Sequence, residues 1–438
     1  MIINEPRKQK MTEVFHLTAT EGLKEIEAGR LTAVNWMESC LQRIFDREDD
    51  VLAWEHIDSE GALEKAHTID KSGGKTLAAG VPFGAKDIID TYDMPTSYGS
   101  PIHKGFQPGR DAGCIAITRA AGAILVGKTV TTEFGHRFPG KTKNPFNPAF
   151  TPGGSSSGSA AAVGDKMVPM ALGTQTGGSV IRPAAYCGTV GYKPTFQDIN
   201  RNGVLPNSPS FDTVGIITRS IDDLALFRSV VLEEEIRSIS PPDIATLKIA
   251  YYPTTNWVKA DAATHEMLES ASASLKDAGA SVTELTLPAE DDFDRFHKTI
   301  AGWEFARTVA WERLNHHDQL SDDLRDGRMQ NGVDTSYEQY RKATSEVEVL
   351  KRKVDKIISN YDAVLCPSAP GEAIKGHAFT GSAIFNGLWT MLGTPSITLP
   401  ICTGPQGLPL GIQLVAARNG DRNLFDVAQS IYLKLGEN

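Results

Sequence analysis

The chain has 438 residues, of which 40% are hydrophobic and 22% are charged, a composition typical of a globular protein with an extensive core. Its 54 acidic and 44 basic residues give a formal charge of −10, which excludes a general affinity for nucleic acid or an anionic membrane. The five cysteines form no metal-type Cys-x-x-Cys pair, no apolar h-region follows the charged N-terminus, and no segment approaches the roughly 18 apolar residues of a membrane span. We therefore expect a cytoplasmic protein with reduced thiols and with neither a nucleic-acid partner nor a membrane association.

The first part of the chain predicts helices followed by a compact apolar segment. Residues 18–47 carry apolar positions at helical spacing, and Thr18 or Thr20 is a candidate N-cap. Leu77–Lys86 is short and apolar but ends on a lysine. Ala112–Lys128 predicts a helix that runs into a short strand, which is typical of an αβ unit.

Glycine and serine crowd residues 151–191. A flexible linker has such a composition, but two apolar segments, Ser159–Val163 and Met167–Leu172, interrupt the polar residues. This stretch therefore predicts a packed core of tight turns and short elements.

The last part of the chain changes from helices back to strands. Residues 232–361 are typical of long charged helices with one strand-like segment, Lys248–Tyr252. Short apolar strands follow at Asp362–Pro367 and Gly411–Val415. Because strands occur on both sides of the helical region, we predict one α/β core with a helical insertion at 235–355.

Gly173–Ser179 is the first candidate catalytic segment. Consecutive glycines let backbone N–H groups turn inward, and a helix starting near Val180 would add donors and a partial positive charge at its N-terminus. Such a turn can hold the oxyanion of an acyl-transfer intermediate, with the Ser179 hydroxyl as the attacking group. The alternative is an ordinary glycine turn capped by a serine, and this segment alone does not separate the two.

Two other serine patterns fit their surroundings poorly. Gly153–Gly158 contains a Gly-x-Ser-x-Gly pattern centred on Ser156, but the proline-broken residues 147–152 cannot supply the strand that a nucleophile elbow needs. Ser72 and Lys75 fit Ser-x-x-Lys, but they lie in a glycine turn rather than on a helix. No His/Asp/Glu cluster has metal-ligand spacing, and no dinucleotide or phosphate-loop fingerprint occurs.

Lys86 is the candidate base for a nucleophilic serine. Its apolar lead-in, Val81–Ala85, carries the lysine into the predicted interior, where desolvation lowers the pKa of an amine and leaves a neutral base near pH 7. The histidines offer no obvious alternative base. The competing interpretation is an ion pair between Lys86 and either Asp87 or Asp90.

Three segments in this order resemble the amidase signature family. The family pattern is a lysine after a Gly-Val-Pro lead, then Gly-Gly-Ser-Ser-x-Gly-Ser-Ala, then Thr-Gly-Gly-Ser, and here these occur at 80–86, 153–160 and 176–179. Ser155 and Ser179 are 24 residues apart, which is the spacing of the family.

The resemblance implies an α/β/α sandwich around a large mixed β-sheet, with residues 1–438 as a single amidase domain. The insertion at 235–355 would then shape the substrate pocket. The implied activity is hydrolysis of a linear C–N amide bond of a small molecule through an acyl-serine intermediate. The resemblance also implies that no cofactor and no metal is needed and, by analogy with malonamidase, that the protein is a homodimer.

The resemblance assigns roles to residues at matching positions of the motifs. Ser179 corresponds to the nucleophile, and Ser155 corresponds to a bridging serine that follows a cis Gly154–Ser155 peptide. Lys86 corresponds to the base that takes a proton from Ser179 through Ser155, which completes a Ser–Ser–Lys relay. The oxyanion hole corresponds to the backbone N–H groups of Thr176, Gly177, Gly178 and Ser179.

Two positions depart from many members of the family. Gln175 stands where aspartate is common, and Arg182 follows the nucleophile by three residues where an arginine usually follows by two. This arrangement resembles malonamidase-like small-amide hydrolases, in which the equivalent arginine helps to bind the substrate's carboxylate. A guanidinium can contact an anion through two parallel hydrogen bonds, so Arg182 is predicted to bind a carboxylated substrate. Alternatively, Arg182 pairs with an acidic residue and braces the fold.

Two other functions remain open from the sequence. The same motifs occur in the glutaminase (A) subunit of the tRNA-dependent amidotransferase, although Gln175 and the shifted Arg182 argue against it. A catalytically silent binding protein with the same fold is the third interpretation, and the intact Lys86, Ser155 and Ser179 argue against that one.

Overall fold

The computed structural model describes residues 13–289 and 292–436, so the charged N-terminus considered above lies outside the described residues. Within those ranges, eleven strands form one sheet. Numbered in chain order, they are β1 (Trp54–Ile57), β2 (Pro82–Lys86), β3 (Ile124–Thr129), β4 (Met170–Gln175), β5 (Val190–Lys193), β6 (Thr213–Thr218), β7 (Lys248–Tyr251), β8 (Ser281–Glu284), β9 (Ala363–Pro367), β10 (Ser396–Thr403) and β11 (Pro409–Val415).

The sheet is mixed, and its strands lie in the spatial order β1-β3-β2-β4-β6-β5-β10-β11-β9-β7-β8. Strands β3, β2 and β4 are parallel neighbours, and β9, β7 and β8 are parallel neighbours at the opposite edge. The remaining neighbours are antiparallel. This topology confirms the α/β class and the large mixed sheet that the resemblance implied.

Helices cover both faces of the sheet. They are α1 (Ala19–Glu27), α2 (Ala33–Val51), α3 (Ser59–Ser72), α4 (Gly113–Ala120), α5 (Ser157–Gly164), α6 (Ile181–Tyr186), α7 (Ile221–Val231), α8 (Ala262–Asp277), α9 (Phe293–Thr308), α10 (Ala310–Asn315), α11 (Gln330–Asp334), α12 (Tyr337–Ile358), α13 (Gly387–Leu392) and α14 (Asp421–Leu435). One face packs against α4, α7, α8 and α14, and the other packs against α3, α5, α6, α9, α12 and α13. In the described part of the chain, no helix is both long enough and apolar enough to cross a bilayer.

Alternate residues of the strands feed the two cores. In β4, the side chains of Met170 and Leu172 join one hydrophobic cluster, whereas Ala171 joins the other. In β9, Leu365 and Val364 divide in the same way. Successive side chains of a strand point to opposite faces, so the strands of a sheet covered by helices on both sides are apolar along most of their length. This explains why the predicted strands appear in the sequence as continuous apolar runs.

The beginning of α1 confirms the predicted N-cap. The Glu21 N–H donates to the Thr18 hydroxyl at 3.3 Å, and the Thr18 N–H donates to the Glu21 carboxylate at 2.9 Å. This reciprocal pair is a capping box, which satisfies two backbone donors that the helix itself leaves free.

The 235–355 segment is only partly an addition to the core. Its first part is a β7–α8–β8 unit, in which the two parallel strands extend the sheet beyond β9. Strand β7 coincides with the strand-like Lys248–Tyr252, whereas β8 escaped prediction because it is an edge strand of polar, largely exposed residues. The run of helices begins with α9, and its role in shaping the pocket stays a prediction.

Candidate active site

The three motif segments meet at one edge of the sheet. Lys86 is the last residue of β2 and Gln175 is the last residue of β4, and these strands are parallel neighbours. The carboxyl ends of parallel strands lie at the same edge, where α/β proteins commonly bind ligands. The serine-rich segment is joined to β4 because Ser156 Oγ lies 3.2 Å from both the backbone N and the carbonyl O of Thr174. Ser156 therefore has a structural partner and begins α5 rather than forming a nucleophile elbow.

Lys86 contacts two hydroxyl groups inside the protein. Its Nζ atom lies 2.7 Å from Ser155 Oγ and 2.8 Å from Thr174 Oγ1. The lysine side chain is fully buried, and Ser155 and Thr174 are buried as well. The structure thus places the predicted base in direct hydrogen-bond contact with the predicted bridging serine.

The ion pair considered for Lys86 is not formed. The Asp87 carboxylate pairs with Lys128 Nζ at 3.0 Å, and the Asp90 carboxylate accepts a hydrogen bond from the Tyr98 hydroxyl at 3.0 Å. Among residues 13–289 and 292–436, no carboxylate comes within ion-pair distance of Lys86. Asp87 lies in the turn that follows β2, and its carboxylate has a partner other than Lys86.

Burial favours the neutral form of Lys86. Desolvation lowers the pKa of Lys86 well below its ordinary value, Asp212 partly opposes that shift, and the positive charge of Arg182 adds to it. The Asp212 carboxylate is itself buried and accepts hydrogen bonds from the Thr176 hydroxyl and from the Asn207 N–H, at 2.6 and 2.7 Å. A neutral lysine amine has a lone pair that can take a proton from a serine hydroxyl.

The chain holds Ser155 and Ser179 close together through their backbones. The Gly154–Ser155 peptide is cis, as the resemblance implied. The N–H of Ser156, which follows the bridging serine, donates to the carbonyl of Ser179 at 3.2 Å. Ser179 is half-buried and therefore partly accessible to solvent, whereas Ser155 is buried.

The turn that carries Ser179 presents unused backbone donors. In the part of the chain that the structure describes, no protein acceptor takes the N–H groups of Gly177, Gly178 or Ser179. A side chain at Gly178 is excluded, because an added Cβ would lie 2.4 Å from Asn386 Oδ1. Free N–H groups on a turn beside a serine are the arrangement that stabilises a developing oxyanion.

The Gln175 side chain accepts the N–H groups at the start of α6, which were expected to serve as additional oxyanion donors. Its Oε1 atom accepts the N–H groups of Val180 and Ile181 at 2.8 and 3.0 Å. Helix α6 begins at Ile181, so these are the N–H groups at its start. The expectation that the helix N-terminus adds oxyanion donors is therefore wrong, because a side chain from the end of β4 has already satisfied them.

Comparison with known proteins identifies the family. The sequence model of the family described as Amidase matches residues 35–425. The chain belongs to the amidase family. A curated relative from Chloroflexus aurantiacus, the A subunit of its glutamyl-tRNA(Gln) amidotransferase, is 31% identical over 483 aligned positions that cover 98% of each chain.

Solved structures agree with that membership. The native peptide amidase from Stenotrophomonas maltophilia has a TM-score of 0.84 and 25% identity, and the match covers 97% of this chain and 98% of that one. A fatty acid amide hydrolase has a TM-score of 0.87 over 99% of this chain and 87% of its own, but at 22% identity it supports the fold alone. The amidase fold is therefore established over nearly the whole chain.

In this amidase-family chain, Arg182 lies against the loop that carries Ser155. The side chain is 5% exposed, its Nη2 donates to the carbonyl of Gly154, and its buried Nε has no protein partner among the described residues. Burial lowers the pKa of Arg182 to about 10. No acidic residue in the described ranges pairs with Arg182, so the ion pair considered as the alternative role of Arg182 is not formed. The guanidinium instead supports the fold through its hydrogen bond to the Gly154 carbonyl.

A second arginine, Arg328, contacts His136 beside the Ser155 segment and was missed from the sequence. Its Nη1 donates to His136 Nδ1 at 3.3 Å and its Nε donates to the Ala301 carbonyl at 3.4 Å, while its buried Nη2 has no protein partner in the described ranges. His136 follows Gly135, at which an added Cβ would lie 3.8 Å from Ser155 Oγ. Arg328 comes from a helical segment whose sequence carries no motif, so spacing gave no signal for it.

The described residues contain no cluster of three or more His, Cys, Asp or Glu side chains that could hold a metal ion. His136 also lies near Ser155, but burial and then the nearby charge of Arg328 lower its pKa well below the ordinary value. Because Nδ1 of His136 accepts from Arg328, the proton of the neutral ring sits on Nε2. Its observed contact is with the arginine rather than with a serine hydroxyl.

Proposed function

We propose that this protein is an amidohydrolase that cleaves a linear C–N amide bond of a small molecule with a Ser–Ser–Lys relay. The observation that carries the proposal is the 2.7 Å contact between the buried Lys86 amine and Ser155, beside a turn with free N–H groups that bears Ser179. Family membership supports hydrolysis of C–N bonds as the class of reaction.

In the acylation half-reaction, Ser179 Oγ attacks the amide carbonyl carbon and the carbonyl electron pair moves to oxygen. The Ser179 proton passes to Ser155 as the Ser155 proton passes to the neutral amine of Lys86. The oxyanion is stabilised by the N–H groups of the 176–179 turn. When the intermediate collapses, the C–N bond breaks and the leaving nitrogen takes its proton from Ser155, which is reprotonated by Lys86.

In the deacylation half-reaction, water attacks the acyl carbon of the Ser179 ester and gives up a proton along the same path to Lys86. Collapse of the second tetrahedral intermediate breaks the ester C–O bond, and Ser179 recovers its proton from Ser155. The carboxylic acid leaves, and the relay returns to its starting protonation state. Each step uses groups of the chain itself, because the lysine supplies the base and the turn supplies the electrostatic stabilisation.

We further propose that the substrate carries a carboxylate. Two arginines, the buried Arg182 and the half-buried Arg328, each have a buried guanidinium nitrogen without a protein partner in the described ranges. Buried cations are normally paired with anions, and an unpaired one is costly to keep in a folded protein. A substrate carboxylate would supply that missing partner during binding.

Replacement of Arg328 by methionine is expected to raise KM for a carboxylated amide about 10–100-fold, the loss of one charge-assisted contact, and to leave a neutral amide nearly unaffected. Arg182→Ala tests the original assignment in the same way, although it also removes the donor to the Gly154 carbonyl. Steady-state kinetics of each variant on a carboxylated amide and on a neutral amide measure these effects. Arg325→Met is the matched control, because Arg325 is in the same helical turn but pairs with Asp322. Equal losses on anionic and neutral amides would contradict the carboxylate proposal.

The substrate class is tested by ammonia release from malonamate, carboxylated ureas, glutamine, and neutral aliphatic and aryl amides, with Ser179→Ala as the blank. Turnover concentrated on the carboxylated compounds supports both the relay and the arginine pocket. Turnover of neutral amides alone keeps the relay and contradicts the pocket.

A second candidate function is that of the glutaminase component of a tRNA-dependent amidotransferase. It is favoured by the 31% identity to such a component over almost the whole chain. Efficient hydrolysis of glutamine only in the presence of larger partner proteins would support this function. A homodimer that hydrolyses small amides alone, measured by light scattering and ammonia release, would support the first proposal instead.

A further inference from the structure

The carbonyl side of the 176–179 turn is held by two side chains from outside the motifs. The carbonyl of Thr176 accepts a hydrogen bond from His297 Nε2 at 2.9 Å. The carbonyl of Gly177 accepts one from Thr390 Oγ1 at 2.6 Å. His297 belongs to α9 and Thr390 to α13, so two helices far apart in sequence approach the same turn.

The backbone supplies a third contact of the same kind. The N–H of Arg182 donates to the carbonyl of Gly178 at 3.0 Å. Three successive carbonyls of the turn are thus occupied, while the N–H groups of Gly177, Gly178 and Ser179 have no protein acceptor in the described ranges. The two sides of the turn therefore differ: its carbonyl oxygens accept hydrogen bonds from the protein, whereas its N–H groups remain free in the described ranges.

The planarity of the peptide bond connects these two sides. The carbonyl of one residue and the N–H of the next belong to one rigid planar unit and point in opposite directions. A hydrogen bond that fixes the Thr176 carbonyl therefore aims the N–H of Gly177, and a bond to the Gly177 carbonyl aims the N–H of Gly178. Rotation of either unit by a large angle would present a carbonyl oxygen where the oxyanion must bind.

We infer that His297 and Thr390 are positioning residues that hold the oxyanion hole in its active orientation. The inference rests on the proposed function, since it assumes that the turn stabilises an oxyanion on a group attacked by Ser179. Because His297 belongs to the 235–355 segment, this segment would orient the oxyanion hole as well as shape the substrate pocket.

The hydrogen bonds of Thr390 leave its hydroxyl with one orientation. Its Oγ1 accepts from Gln175 Nε2 at 3.0 Å, and its only proton is directed to the Gly177 carbonyl at 2.6 Å rather than to the Asn386 carbonyl at 3.3 Å. Gln175 also accepts the N–H groups at the start of α6. One network of side chains therefore connects both ends of the turn.

His297 is fixed in one protonation state by its surroundings. Burial, and then the charge of Arg328, lower the pKa of His297 to about 4, so the ring is neutral at ordinary pH. A carbonyl can only accept, so the proton of the neutral ring is on Nε2. The ring also stacks on Phe211, with centroids 5.2 Å apart and planes at 13°. This stack keeps the N–H directed toward the turn.

The test measures how fast an alkyl fluorophosphonate labels Ser179. Ser179 Oγ displaces fluoride from phosphorus, its proton moves toward Lys86, and the oxygen on phosphorus needs the same N–H groups as an oxyanion. Thr390→Val keeps the side-chain shape and removes the hydroxyl donor, whereas Thr390→Ser keeps the donor. His297→Phe keeps the stack on Phe211 and removes the N–H. Thermal unfolding of each variant reports whether it is folded.

We expect Thr390→Val and His297→Phe to be labelled about 10–100-fold more slowly, somewhat less than the loss on deleting an oxyanion donor outright. Thr390→Ser should retain a near wild-type rate, with all variants folded. If folded Thr390→Val and His297→Phe are labelled as fast as the wild type while Ser179→Ala is not labelled, the inference is wrong and the proposed function stands. If the wild type is not labelled at Ser179, the proposed function fails and the inference fails with it.

Discussion

Replacement of Ser179 by alanine is expected to lower kcat on any amide substrate by about 10⁴-fold or more. The hydroxyl is the proposed site of the covalent bond, and no other group in the relay can take its place. The variant should bind substrate with nearly wild-type affinity, because the half-buried Ser179 contributes little to ground-state contacts. Ammonia release measures the loss of kcat, and equilibrium binding of a substrate to the variant measures its affinity. Mass spectrometry of the trapped acyl-enzyme identifies the serine that is modified.

Ser72→Ala is the matched control for that experiment. Ser72 belongs to the Ser-x-x-Lys pattern that fitted its surroundings poorly, and the structure places it at the exposed end of α3, where its hydroxyl donates to the Ile69 carbonyl at 2.9 Å. Full activity is expected of it. Substantial turnover by Ser179→Ala, or an acyl adduct on another serine, would contradict the assignment of the nucleophile.

Replacement of Lys86 by methionine is expected to lower kcat about 10²–10⁴-fold, the usual contribution of a positioned general base. In the wild type, burial holds the pKa of Lys86 well below its ordinary value, which favours the neutral amine that a general base requires. The kcat/KM of the wild type should fall as the pH is lowered and Lys86 takes up a proton. Lys75→Met, at an exposed lysine, is the control. A wild-type profile that stays flat down to pH 5 would contradict Lys86 as the base.

The same substitution is expected to increase stability at neutral pH. Because the folded-state pKa of Lys86 is lowered, the unfolded chain binds more protons than the folded one, and the free energy of unfolding rises with pH between the two pKa values. The cost of burying this lysine is greatest below its folded pKa and disappears above the ordinary lysine value of about 10.4. Melting temperatures of Lys86→Met and the wild type should therefore differ clearly at neutral pH and converge near pH 10. A difference that does not change with pH would show that the folded Lys86 has an ordinary pKa.

The residues of the proposed proton relay could be identified from the sequence, because they lie in short motifs whose composition reflects local chemistry. The apolar lead-in of Lys86 predicted a buried lysine, and the structure shows it fully buried. The same local evidence could not name its partners. Asp87 and Asp90 are near in sequence, but the actual partners, Ser155 and Thr174, are 69 and 88 residues away.

The α/β class, the family motifs and the burial of Lys86 could be predicted from the amino-acid sequence, since each depends on local composition and spacing. The contacts between distant side chains became visible only in the folded structure. His297 and Thr390 reach the turn from 121 and 213 residues away, and Arg328 reaches His136 from 192 residues away. Such contacts depend on how helices pack over the edge of the sheet, and packing accepts many side chains of similar size and polarity. No local pattern therefore marks these positions, although their donors orient the groups on which the proposed chemistry depends.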